Sequence, residues 1–252
     1  MKKIFTLLTA AIIAASTAAS CEKRKYLQSD PDVLTSRQIE ILEENSLPTD
    51  MDKLNARQSG GIKAIESAFV YLEEKYPGVE FEYISHTQAG LMNTEYTTFV
   101  PVGLDKEDDR NIVTVNYDRE GNYSDDYMLV AVREETEKTI SKYLESYFGK
   151  DNFKVYVRPR STELQYGDYI NEESVKNGNV VSIAQLLLPD DICSEDKLNQ
   201  FAEEYKNIYE VYRCRLFASI IYREDFEELT YNNLYDSTNR NVIYNIDIRK
   251  HQ

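Results

Sequence analysis

The stretch from Glu134 to Val157 constrains the fold more than any other. Ile140, Tyr143, Leu144 and Tyr147 fall at i, i+3, i+4 and i+7, which puts them on one face of a helix with Glu137, Lys138 and Lys142 largely opposite. Gly149 follows at once, where a helix end favours a residue without Cβ. Phe153, Val155 and Val157 then alternate with Lys154, Tyr156 and Arg158, the period of a strand with one buried face. Ile62 to Ile84 repeats the plan: Ile62, Ile65, Phe69, Leu72 and Tyr76 share a helical face, Pro77-Gly78 breaks it, and Phe81 to Ile84 reads as a strand. Any helix-turn-strand unit has this pattern, and so would an old duplication. A chain built of such units must be α+β, a mainly antiparallel sheet with helices packed on it.

Further signals fill in the order. Thr35 with Gln38 makes a capping box for a helix carrying Ile39 and Leu42, ended by Leu47-Pro48. Thr49 to Asp52 is a second start signal, and a helix is expected from about Asn55 to Tyr76 with a kink or break at Gly60-Gly61. Glu80 to Ser85, Tyr96 to Val102, Asn111 to Tyr117 and Tyr123 to Val132 read as strands, the last two joined by a turn at Gly121. Arg160 to Gly178 is a polar, tyrosine-bearing loop, longer than most and so of functional interest. Val180 to Leu188 is a strand closed by Pro189. Ser194 caps the strongest amphipathic helix, with Leu198, Phe201, Ala202, Tyr205, Ile208, Tyr209 and Tyr212 on its apolar face. Leu216 to Tyr222 and Val242 to Ile248 complete the strands. From Tyr123 to Tyr222 the order βαββαβ is similar to the ferredoxin-like split βαβ arrangement. No Gly/Ser/Pro linker interrupts residues 32–252, which read as a single α+β domain, or as two subdomains split near residue 122.

The N-terminus carries an address. Lys2 and Lys3 precede an apolar run from Ile4 to Ala15, too short to span a bilayer. Ala18-Ala19-Ser20-Cys21 follows. These residues resemble the signal peptide and lipobox of bacterial lipoproteins, with Ala18 where an aliphatic residue is usual. The resemblance covers residues 1–21 only. It implies removal of residues 1–20, diacylglycerol on the Cys21 sulfur, and a place at the extracytoplasmic face of a cell membrane. An ordinary secretory signal with a chance cysteine is the alternative. Residues 21–31 are charged and polar, without apolar periodicity, and read as a flexible tether.

The formal charge is −15, and loss of Lys2 and Lys3 with the signal takes it to −17. That repels phosphate backbones and argues against nucleic-acid binding. It suits cationic partners, and equally plain solubility. The 20 tyrosines could form contact surface or core, and the helical period of Tyr205, Tyr209 and Tyr212 assigns those three to core. Cys193 and Cys214 flank a helix about 25 Å long, too far apart at its two ends for a disulfide.

No motif with catalytic chemistry is present. His86 and His251 are the only histidines, and neither stands in a zinc motif. His86 could act as a base but has no nucleophile motif beside it. Nucleotide-binding glycine loops and a Gly-x-Ser-x-Gly elbow are absent. Asp105, Glu107, Asp108 and Asp109 form one acidic group, and Asp118, Glu120, Asn122, Asp125 and Asp126 another; each is either solvated loop charge or a calcium site lacking the EF-hand pattern. The sequence therefore favours a non-catalytic binding module with an unknown protein or ligand partner, needing no cofactor or metal. The alternatives are an exported hydrolase or metal-dependent enzyme using acidic residues, and an envelope structural or self-protection protein.

Overall fold

A computed structural model describes residues 27, 30, 32–90, 94–118, 120–234 and 242–249. The signal segment, Cys21, most of the tether and His251 lie outside the described residues. The class is α+β, and among the described residues no helix is long and apolar enough to cross a membrane. The chain divides into two compact units. The first holds the residues up to Leu104 together with Val113–Asp125; the second holds Asp105–Ile112 and everything from Asp126 onward. The sequence suggests one domain or a split near residue 122. The change of unit falls at Asp125/Asp126, and Asp105–Ile112 belongs with the second unit although it lies in sequence between strands of the first.

In the first unit, α1 (Ser36–Glu44) starts at the expected Thr35/Gln38 capping box. It is clipped to α2 (Ala56–Lys75) by polar contacts. The fully buried Gln38 amide donates to the Ile62 carbonyl at 3.1 Å, and Arg37 binds the buried Glu66 at 2.9 Å while lying 3.9 Å above the Phe69 ring. Asn55 and Gln58 form a second capping box at the start of α2. The helix runs unbroken through Gly60-Gly61, against expectation. The reason for a glycine at 61 is close approach: a Cβ there would stand 2.9 Å from the Gln88 amide and 3.7 Å from the His86 ring. Strands β1 (Phe81–Thr87), β2 (Glu95–Pro101), β3 (Val113–Tyr117) and β4 (Tyr123–Asp125) form an antiparallel meander in that order. Phe69 of α2 meets Phe99 of β2 edge-on at 4.7 Å, and Leu72, Val113 and Val115 are buried.

After Asp105–Ile112, the second unit resumes with α3 (Tyr127–Phe148), where the sequence suggests a strand continuing to Val132. Val132, Thr136, Ile140, Leu144 and Phe148 are all buried at strict i+4 spacing, so the apolar ridge of the helix extends back through the supposed strand. Strands β5 (Lys154–Thr162), β6 (Val180–Pro189), β7 (Cys214–Ile221) and β8 (Val242–Ile248) form the second sheet in that order; β6 and β7 are parallel, the other pairs antiparallel. The elements follow the order βαββαβ from β4 to β7. Because β4 pairs in the first sheet, no split βαβ unit forms around it. Between β5 and β6 lie the single turn α4 (Glu172–Ser174) and a wide turn over Val175–Asn179.

Helix α5 (Glu195–Tyr212) starts at Ser194 as expected and crosses from β6 to the parallel β7. Its Leu198, Phe201, Ala202 and Tyr205 join Ile140, Leu144 and Phe148 of α3 on one face of the sheet. The other face carries Leu187, Ile221 and Phe226, the last from α6 (Arg223–Glu228). Covering on both faces explains why Leu186-Leu187-Leu188 is continuous rather than alternating. Cys193 and Cys214 are free, buried thiols on either side of α5. Burial pushes the Cys214 thiol up to about 12.

Candidate functional site

Asp108, Asp109 and Asp125, from the acidic groups that suggest cation binding, are instead engaged by arginine, lysine and tyrosine side chains of the chain itself. Asp108 takes a forked pair from Arg110, with Nε–Oδ1 at 2.9 Å and Nη2–Oδ2 at 2.7 Å, and a third contact from Arg133 at 3.3 Å. Arg110 also donates to Glu137 at 3.0 Å and lies 4.0 Å over the Tyr231 ring. Glu137 accepts the backbone N–H of Val157 at 3.0 Å, which satisfies a donor on the edge strand β5. Asp109 binds Arg158 at 2.6 Å and Tyr231 at 2.7 Å. Burial raises the carboxyl of Asp108, but the Arg110 hydrogen bonds outweigh it and hold the group below the usual carboxylate range; Asp109 is held low in the same way by Arg158 and Tyr231. For Asp108 the expectation of solvated loop charge is therefore corrected, while Asp109 is paired but keeps a side chain 62% exposed. The only advance signal was the adjacency of Arg110 to the acidic run.

The second acidic group is split. Asp118 closes its turn by accepting the N–H groups of Glu120 at 2.9 Å and Asn122 at 2.8 Å. The Asp125 side chain is fully buried and accepts from Tyr71 Oη at 2.7 Å, Lys75 Nζ at 2.6 Å and Tyr76 Oη at 2.7 Å. Asp126 stands at the N-cap of α3 without a side-chain cap bond. Among the described residues, no group of three or more His, Cys, Asp and Glu side chains is placed to hold a metal.

His86 acquires neighbours that no linear motif could show. Its Nδ1 lies 2.9 Å from Thr97 Oγ1, and its Nε2 lies 3.6 Å from Glu95 Oε1. Hydroxyl, imidazole and carboxylate thus stand in line across β1 and β2. Thr97 and Glu95 are each only 3% exposed, so the hydroxyl is not presented to solvent.

One segment is built to present side chains outward. The loop after β5 is closed at its base by the Glu163 N–H donating to the Asn179 carbonyl at 3.0 Å. Leu164 and Ile170 pin its two limbs into an apolar cluster with Val132, Val175 and Val180. Between them, Asp168 N–H donates to the Gln165 carbonyl at 3.1 Å, and Gln165 N–H donates to the Asp168 carboxylate at 2.7 Å. Gly167 at the corner has φ +93°, the type II turn position that favours glycine. Tyr166 lies within this turn and Tyr169 directly follows it, 43% and 82% exposed. The sequence marks the loop from Arg160 to Gly178 as a whole; the structure narrows it to residues 163–171, since β5 reaches Thr162 and a short helix and turn occupy Glu172–Asn179. By contrast Tyr205 and Tyr212 are buried, as their helical period requires, and Tyr209, expected with them, packs against the core only partly buried.

No family model matches the chain, and no curated protein matches it. A solved structure described as a DUF5037 family protein from Ruminococcus gnavus ATCC 29149 is similar at a TM-score of 0.34 and 17% identity, over 64% of this chain and 76% of that one. A likeness that weak carries no argument about fold or function.

Proposed function

We propose that this chain is an exported lipoprotein, held at the extracytoplasmic face of a cell membrane by lipid on Cys21, whose folded part binds a partner and performs no chemistry. The observation that carries the reading is the N-terminal sequence: two lysines, a short apolar run, and small residues ending at Cys21. Each acyl CH₂ buried in a bilayer contributes ~0.8 kcal/mol, so two chains on one sulfur make a stable anchor. The binding role draws support from two features. Asp108, Asp109 and Asp125, which a metal or an acid-base reaction would need, are engaged by arginine, lysine and tyrosine of the same chain. The 163–171 loop, in turn, holds aromatic side chains out on a rigid base, as binding loops do. Labelling of expressing cells with radioactive palmitate tests the anchor. Label in the full chain that disappears in Cys21→Ala is the expected result; label retained by that variant, or none in either protein, overturns it.

A further inference from the structure

We infer that the turn Gln165–Tyr169 is the recognition element of the binding role proposed above, and that its partner is a basic, lysine- or arginine-rich protein segment. The inference rests on that binding reading and adds the chemistry of the partner.

Three observations converge on a cationic ligand. The first is the pair of exposed rings. Aromatic faces carry negative quadrupolar potential and attract ammonium and guanidinium groups. Tyr169 is the most exposed aromatic side chain among the described residues, and Tyr166 stands three positions before it in the hydrogen-bonded turn Gln165–Asp168. The second is charge. Glu163 and Asp168 flank these rings, and among the described residues no lysine or arginine forms an ion pair with either, while the nearby Glu172 is neutralised by Lys142 and Lys176. The two carboxylates flanking the tyrosines in sequence thus keep their charge without an ion pair among the described residues, as other surface carboxylates of this acidic chain do. The third is rigidity. Leu164 and Ile170 anchor the limbs, and the Gln165–Asp168 hydrogen bonds set the turn before any partner arrives. Less ordering entropy is then lost on association. The chain's overall charge of −15 would steer a basic partner toward it.

Binding of a fluorescein-labelled Lys/Arg nonapeptide to the purified full chain in non-ionic detergent, read by fluorescence anisotropy, tests this. The full chain should bind the peptide, and Tyr166→Ser/Tyr169→Ser should weaken binding about tenfold, the scale of two lost cation–π contacts. Tyr169→Phe should retain affinity, because the ring and not the hydroxyl is required. Glu163→Gln/Asp168→Asn should weaken binding more than Glu80→Gln/Glu82→Gln, which removes the same charge from the other unit. The circular dichroism melt of a Tyr169→Ser variant, whose side chain is 82% exposed, should not shift. Equal effects of the two charge pairs, or insensitivity to the tyrosines, would mean diffuse electrostatics and overturn the inference. So would absence of peptide binding, or binding of a neutral polysaccharide instead. None of these outcomes touches palmitate incorporation at Cys21, so the anchor stands or falls separately.

Discussion

Asp125 shows how far a single residue's role departs from its appearance in sequence. It sits in an acidic run and looks like loop charge, yet its carboxylate is wholly buried and accepts from two phenols and an ammonium. Removing the charge would leave Tyr71, Lys75 and Tyr76 with a weaker acceptor. Asp125→Asn is expected to lower the unfolding free energy by about 2–3 kcal/mol, the range for charge-assisted hydrogen bonds in a buried setting. A urea titration followed by tyrosine fluorescence measures it, since tryptophan is absent. A midpoint matching the parent chain would show that Asp125 is not the centre of that cluster. The partners of such residues come from distant positions, such as Tyr71 for Asp125 and Tyr231 for Asp109. Linear spacing carries no trace of them. His86 is the same case: Glu95 and Thr97 reach it only through strand register.

At the scale of elements, the parts with strong period and punctuation were legible. The Thr35/Gln38 capping box, the Ser194 cap and apolar face of α5, and Val242–Ile248 as a strand all stand where the residues put them. The start of α3 did not, because Tyr127 to Val132 is an apolar run that satisfies both strand and helix templates. Burial of the i+4 ridge decided it. Gly60-Gly61 misled because helix propensity treats glycine as a defect, whereas Gly61 makes room for Gln88 and His86. Gly178 differs from Gly167 in an equally testable way. Both have positive φ, but a Cβ at Gly178 would stand 2.7 Å from Arg213 Nε, and one at Gly167 would meet nothing within 4 Å. Gly167→Ala should cost about 1 kcal/mol, and Gly178→Ala more, from the added displacement of Arg213. Thermal melts of the two variants side by side check the order. Lys154 gives a second element-scale expectation. Its ammonium donates to the carbonyls of Phe226, at 2.5 Å, and Leu229, at 2.8 Å, at the end of α6. Lys154→Met should raise hydrogen-exchange rates across Arg223–Glu228 and leave α3 unchanged; equal protection in α6 would contradict the cap.

For the whole molecule, the sequence read the α+β class directly, but not which strands share a sheet. Pairing of β4 with β3 instead of β6 is a long-range choice that no window reveals. The electrostatics of the second unit make its stability depend on pH. Asp108, Asp109 and Asp247 are held below the usual carboxylate range, the last by hydrogen bonds from Arg215, and Lys142 and Lys176 bring Glu172 to about 2. Depressed folded-state values mean that this stabilisation is complete above the ordinary carboxylate pKa of about 4 and is lost as pH falls through the folded values. Melting temperature should therefore hold from neutral pH down to about 5 and fall steeply below about 4. A flat profile would show that these ion pairs contribute nothing net. The account as a whole turns on the N-terminal address, and intact-mass spectrometry of the protein isolated from its cells tests it most directly. The expected species begins at Cys21 and carries a diacylglycerol adduct; a chain still starting at Met1, or one cleaved near Cys21 with an unmodified thiol, would contradict it.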